Sequence, residues 1–291
     1  MIAETREEYE RLMVPNGGSP LVSPRARALM RQLGIPLEAA REMKGSGPGG
    51  RILDSDVSAW GEARQGLTVS REIPLRGRRG TIARRMVSSL QESAQLTSVL
   101  ELDVKPLVEL RTRLNESGAM PRIGVTAIVV KLVASALHEH PLLNARITET
   151  AVQLLEEINV AVAIDTEEGL VAPVVKGADR LSIEQINGSI GELSERARET
   201  ALRPDDLADG TFTVSNGGIH PVDITTAIIN PPQCGILWIG RIKERPVVVA
   251  GGAIAVRPTM QACLTFDHRA VDGAPAAAFL GTFERLVGEL G

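Results

Sequence analysis

Residues Asp267–Gly273 read DHRAVDG, and they close a stretch, Met260–Phe266, that alternates with period two. Met260, Ala262, Leu264 and Phe266 share one face, the mark of a strand with one side in a core. His268 therefore stands at a strand terminus, with Asp272 four residues on and Gly273 after it. An imidazole held there can keep a fixed tautomer and titrate near neutrality, as a general base requires. Taken alone, a histidine in such a turn is more often a surface residue beside a helix-capping aspartate.

Working upstream, Thr211–Ser215 alternates in the same way, with Phe212 and Val214 on one side and Thr213 and Ser215 on the other. Ser215 ends that strand just before Asn216-Gly217-Gly218, where a hydroxyl can point into a cleft and donate a hydrogen bond. No G-x-S-x-G elbow surrounds it, so it is a poor acyl-enzyme nucleophile. Further strands are expected over Asn159–Asp165 and Leu170–Lys176 around a Gly169 turn, over Ile236–Ile242, and over Pro246–Ala250 and Ala253–Arg257 around Gly251-Gly252. Helices are expected over Pro106–Asn115, over the apolar Thr126–His138, over Ser182–Leu202 with a Ser182/Gln185 capping box, and over Ala274–Leu290. The pattern predicts an α/β fold. His138 and His140 flank a helix end and read as structural.

Towards the N-terminus, a block of about 40 residues between loop-rich stretches reads as two short helices joined by the Gly-rich Lys44–Arg51. Ser23-Pro24 opens the first helix, with Ala28, Leu29 and Leu33 as its apolar face, and Asp54 caps the second. Arg25, Arg27, Arg31 and Arg51 concentrate positive charge, and Arg27 and Arg31 share a helix face. A unit this small frames catalysis poorly; a cationic face suits docking onto an acidic partner. The chain thus divides into 1–18 as an extension, 19–60 as a helical binding module, 61–72 as a linker and 73–291 as the large domain.

Composition narrows the function classes. The 291 residues carry a net charge of −4, 43% hydrophobic residues and 2% aromatics. Mild acidity argues against coating nucleic acid, and so few aromatics leave no base-stacking platform. Cys234 and Cys263 are too few for a disulfide framework or a four-ligand zinc site, so no metal is expected. No apolar run is long enough to span a membrane, and the N-terminus lacks a signal-peptide core. The expectation is a cytoplasmic protein with an aliphatic core, and with Trp238 and His220 near the cleft.

Two modules in this order resemble the dihydrolipoamide acyltransferase (E2) family of 2-oxoacid dehydrogenase complexes, over roughly Ser19 to Leu290. Ser23–Val57, with its loop GSGPGGRI and Asp56-Val57, is similar to the peripheral subunit-binding domain. Ile82–Met86 (IARRM), His140–Asn144 (HPLLN), Gly169–Val175 (GLVAPVV), Thr211–Gly218, Ile228–Gln233 (IINPPQ) and Asp267–Gly273 resemble the catalytic domain. The resemblance implies a chloramphenicol-acetyltransferase-like two-layer sandwich, with trimers and active sites at subunit interfaces. His268 matches the general base and Ser215 the oxyanion donor. Asp272 matches an architectural ion-pair residue with Arg84 or Arg85 as its partner. Gly273 and Asn216 complete the motif. Arg27, Arg31 and Arg51 match the partner-docking arginines, with dihydrolipoamide dehydrogenase or the decarboxylase component as partner through residues 19–60. Coenzyme A or acyl-CoA serves as substrate and no metal is needed.

Two departures shape the functional expectation. The family's lipoyl domain and its attachment lysine are not found in this sequence, and the chain stops soon after its last helix. The expectation is therefore a free homotrimer acting as a stand-alone CoA-dependent acyltransferase of specialised, tetronate-type natural-product biosynthesis. It would move acetyl from acetyl-CoA to a small-molecule hydroxyl. The alternative is an E2 component of a pyruvate or branched-chain dehydrogenase complex, with a dihydrolipoyl thiol as acceptor. A non-catalytic scaffold runs against the intact His268, Ser215 and Asp272.

Overall fold

The computed structural model describes residues 20–64, 70–119, 121–167 and 169–291. The expected extension 1–18, Ser19 and residues 65–69 of the expected linker lie outside them. The chain separates into two compact units, Met1–Ile73 and Pro74–Gly291.

In the first unit, helix α1 (Pro24–Gln32) begins where Ser23 accepts a hydrogen bond from the Ala26 amide at 3.1 Å. Helix α2 (Asp54–Arg64) follows the Gly-rich loop. The Asp56 carboxylate gathers that loop, accepting the amides of Ser46 at 2.8 Å and Leu53 at 2.9 Å. These bonds hold its carboxyl below the ordinary value. The buried face of α1 is Ala26 and Met30, packed with Val22, Ala40, Met43, Ile52 and Val57. Of the expected face, Leu29 packs against this cluster, while Ala28 and Leu33 are exposed.

The second unit starts with α3 (Gly77–Glu92) and β1 (Gln95–Asp103), then α4 (Lys105–Glu116) and the buried α5 (Val125–Glu139). A small hairpin pairs β2 (Ala145–Ile147) with β3 (Val152–Leu154). The strands β4 (Val160–Val162) and β5 (Val174–Val175), helix α6 (Ile183–Arg198) and strands β6 (Phe212–Asn216), β7 (Gly235–Ile239), β8 (Lys243–Val248) and β9 (Ile254–Asp267) follow, and α7 (Gly273–Gly288) closes the chain. The main sheet runs β1-β9-β7-β6-β4-β5, with β8 paired to β9. β4, β6 and β7 are mutually parallel, and β7 is buried along its whole length, as central strands covered on both sides are.

Helices α4 to α7 pack on one face, giving two layers. All four phenylalanines, Phe212, Phe266, Phe279 and Phe283, are fully buried in an otherwise aliphatic core. Ser182 and Gln185 form the expected capping box, but α6 stops at Arg198 rather than Leu202. Thr200 turns left-handed there without a glycine to announce it. The two strands expected on either side of Pro258 are one 14-residue strand. Pro258 is tolerated because β1 pairing begins only at Thr259, so the missing amide falls on a free edge.

Candidate active site

His268 follows the last residue of β9, and its loop is tied down by the residue before it. The Asp267 side chain is 3% exposed and meets the Arg269 guanidinium, with Arg269 Nη2 at 2.7 Å. Its Oδ1 also accepts the amides of Arg269 at 3.0 Å and Ala94 at 3.2 Å. The Ala94 carbonyl in turn accepts the His268 amide at 2.9 Å. Burial works to raise the Asp267 carboxyl, but the Arg269 guanidinium and the two amides outweigh it and hold the group below its ordinary range.

Among the described residues of one chain, Asp272 forms no ion pair with an arginine. It occupies the N-cap position of α7 without accepting a capping hydrogen bond. Its carboxylate lies 3.7 Å from His268 Nδ1, and its side chain is 83% exposed. The architectural ion pair of the loop is therefore Asp267–Arg269. Among the described residues of one chain, neither Arg84 nor Arg85 pairs with Asp272: Arg84 Nη2 donates to Thr81 Oγ1 at 3.3 Å, and Arg85 lines a cavity elsewhere. The missed signal was the aspartate directly before the histidine, where a strand end buries its side chain. A carboxylate beside Nδ1 favours the proton on that nitrogen and leaves Nε2 free to accept one.

Ser215 is half-buried near the end of β6, and its hydroxyl has no hydrogen-bond partner among the described residues. Beside it, Asn216 donates to Thr126 Oγ1 at 2.9 Å and accepts the Gly218 amide at 2.8 Å, fixing the turn to the start of α5. Trp238 pairs with Ser215 across the sheet and is buried, so it is a wall under the turn rather than an open pocket residue. Its ring sits against Gly217, where a Cβ would lie 2.3 Å from the indole.

Ser215 and His268 are not brought together within one chain. Ser215 pairs with Trp238 and Trp238 with Cys263, two strand spacings or about 10 Å away. Cys263 precedes Asp267 by four residues, about 13 Å of strand. The hydroxyl and the imidazole thus occupy opposite ends of the sheet.

A cavity of about 590 Å³ opens at the same end as the start of β7. Arg85, Arg146, Asn159, Asp209, Asn230 and Gln233 line it. Gln233 is fixed by Thr213 Oγ1, which donates to it at 2.5 Å, and it donates to the Gly210 carbonyl at 3.1 Å. Cys234 and Cys263 are buried, and burial pushes the Cys234 thiol up to about 12, so neither is poised to react. Among the described residues there is no cluster of His, Cys, Asp or Glu suited to a metal, and no helix long and apolar enough to cross a membrane. In the first unit Arg27, Arg31 and Arg51 are all exposed.

Residues 68–290 match the family of 2-oxoacid dehydrogenases acyltransferase (catalytic domain), and residues 20–58 match the E3 binding domain. The chain belongs to the 2-oxoacid dehydrogenase acyltransferase family. This acyltransferase is 38% identical over 269 residues to the dihydrolipoyllysine-residue acetyltransferase component of the acetoin cleaving system of Bacillus subtilis, covering 89% of this chain and 67% of that protein. It is 37% identical over 290 residues to the succinyltransferase component of the 2-oxoglutarate dehydrogenase complex of the same organism, covering 92% and 68%.

Among solved structures, it resembles a probable dihydrolipoamide acetyltransferase from Listeria monocytogenes, with a TM-score of 0.73, 35% identity, and coverage of 76% of this chain and 96% of that one. It also resembles the dihydrolipoamide acetyltransferase of Azotobacter vinelandii, with a TM-score of 0.72, 26% identity, and coverage of 78% and 93%. That structure was determined to define the roles of a serine, a histidine and an asparagine in its catalytic mechanism. These relatives overturn the expectation of a stand-alone O-acetyltransferase of natural-product biosynthesis. The two Bacillus subtilis relatives are components of an acetoin cleaving system and of a 2-oxoglutarate dehydrogenase complex, and both modules of this chain match their families.

Proposed function

We propose that the protein is the dihydrolipoyl acyltransferase component of a 2-oxoacid dehydrogenase-type complex, exchanging an acyl group between a dihydrolipoyl thiol and coenzyme A. The observation that carries the reading is the His268–Asp272 pair at an exposed strand end, anchored by Asp267, Arg269 and Ala94. His268 Nε2 takes the proton of the attacking thiol, and the thiolate adds to the thioester carbonyl. The oxyanion formed accepts a hydrogen bond from Ser215, a donor of the kind whose removal costs about 2.7–4 kcal/mol of barrier. Collapse of the adduct expels the other thiolate, which takes the proton back from the imidazolium.

Because Ser215 and His268 of one chain lie at opposite ends of the sheet, Ser215 shares a site with the His268 of a second copy in a trimer. The β8–β9 hairpin supports such contacts: Val248, Ile254 and Val256 are 75%, 76% and 66% exposed on one face, the kind of apolar surface that subunit contacts cover. The unit around residues 20–58 docks the partner enzyme through Arg27, Arg31 and Arg51.

The test is thioester formation from acetyl-CoA or succinyl-CoA with dihydrolipoamide as acceptor. Turnover is expected with at least one donor, and His268→Ala should reduce it by about 10²–10⁴-fold. Absence of transfer with both donors, or a His268→Ala enzyme within tenfold of the parent, would overturn the assignment.

A further inference from the structure

The step Ala94–Gln95 joins three parts of the molecule. Ala94 holds the His268 loop through its amide and its carbonyl, as described above. Gln95, the next residue, reaches in two other directions. Its Nε2 donates to Ser89 Oγ at 2.9 Å and to Ser93 Oγ at 2.8 Å, at the end of α3. Its Oε1 accepts the Ile229 amide at 3.1 Å. Ser89, fully buried, donates to the Ile229 carbonyl at 2.7 Å. Both polar groups of the buried Ile229 peptide are therefore held by this pair of side chains. The segment that Ile229 leads, Asn230–Gln233, forms a wall of the 590 Å³ cavity. It runs straight into Cys234, whose carbonyl accepts the Asp267 amide at 2.9 Å. The backbone of Gln95 also pairs with Asp267 in the sheet.

We propose that Gln95 is a positioning residue for His268: its carboxamide clamps α3 and Ile229 around Ala94 and thereby fixes the peptide that aims the imidazole. The inference rests on the reading of His268 as the base. A strand start at the sheet edge would otherwise fray, since Ala94 is exposed and, among the described residues, β1 has no strand neighbour on its outer side. Small displacements of a base cost rate steeply, up to about 10² for 1 Å.

The experiment compares Gln95→Leu, which removes both hydrogen-bonding groups at similar volume, with Gln95→Glu, which keeps the acceptor for Ile229. Gln95→Leu should lower kcat with dihydrolipoamide by about tenfold while KM for acetyl-CoA stays within twofold, and Gln95→Glu should recover part of the loss. Placed on His268→Ala, the same substitution should leave the residual rate unchanged. A role confined to folding would instead lower both backgrounds by the same factor, and that result would overturn the proposal.

A second readout does not depend on turnover. The chain has four histidines, so selective ring labelling resolves them. Gln95→Leu should shift or broaden the His268 ring signal and leave those of His138, His140 and His220 in place. An unmoved His268 signal would overturn the positioning role. Lack of transfer by the parent enzyme would strike the proposed function while leaving this spectral test standing.

Discussion

At the scale of single residues, two aspartates five positions apart divide the work that the motif suggested for one. Asp267 is buried and holds the loop through Arg269 and Ala94, while Asp272 is open to solvent beside the imidazole. Sequence spacing shows that both are near His268 but not which is buried. That depends on where the strand ends, and β9 runs one residue past the alternating Met260–Phe266 pattern. Removing the Asp267 charge with Asp267→Asn leaves Arg269 without its partner. Arg269 is half-exposed and can be rehydrated, so the cost should be about 2–3 kcal/mol, below the about 3–5 kcal/mol of breaking a fully buried pair.

The pH dependence of that cost has a definite sign. The Asp267 carboxyl lies below its ordinary value of 3.8 in the folded protein. A depressed carboxyl stabilises the fold in full above its unfolded value and loses that contribution as pH falls through the folded one. The stability gap between parent and Asp267→Asn should therefore be constant from neutrality to about pH 5 and close below the unfolded value. Denaturant titrations at a series of pH values measure it; a gap that widened in acid would contradict the assignment.

At the scale of elements, what was legible followed from local chemistry. The Ser182/Gln185 box marks the start of α6, and the largely apolar run of α5 marks a helix buried on most sides. What was not legible followed from neighbours. The end of α6 rests on Thr200, and the continuity of β9 through Pro258 depends on which edge β1 covers. The apolar face of α1 is set by Ile52, brought in by a bridge to Val22.

The turn after β6 has the same character. Gly217 reads in sequence as part of a loose Gly-Gly turn, yet the space for its Cβ is taken by the indole of Trp238. Gly217→Ala must displace a buried ring or the backbone next to Ser215, an overpacking cost of about 1–3 kcal/mol. The turn would then lift Ser215 away from its position, so kcat should fall more than tenfold while α1, α2 and partner docking are untouched. Thermal unfolding and turnover measured on the same sample check both halves; a variant equal to the parent in both would show that the turn has slack.

At the scale of the whole molecule, the sequence motifs placed His268 and Ser215 in one site, and the sheet sets them apart by about 16 Å along the strands and about 10 Å across. On the proposed reading the distance that matters is to another copy, which no pattern within a single chain encodes. A shared site makes a prediction that a site within one chain cannot. Each site in a closed ring takes His268 from one subunit and Ser215 from its neighbour. Ser215→Ala alone should lose about 10²–10³-fold in kcat, and His268→Ala alone about 10²–10⁴-fold. Co-expressed in equal amounts, they form mixed rings in which a site is intact when an intact His268 meets an intact Ser215. With random assembly both conditions hold at about a quarter of the sites. The mixture should therefore recover about a quarter of the parent rate, far above either variant, when assayed with dihydrolipoamide and the acyl-CoA that the parent uses. If both residues served a site within one chain, every chain would lack one of them, and the mixed sample would show only the average of its two crippled parents.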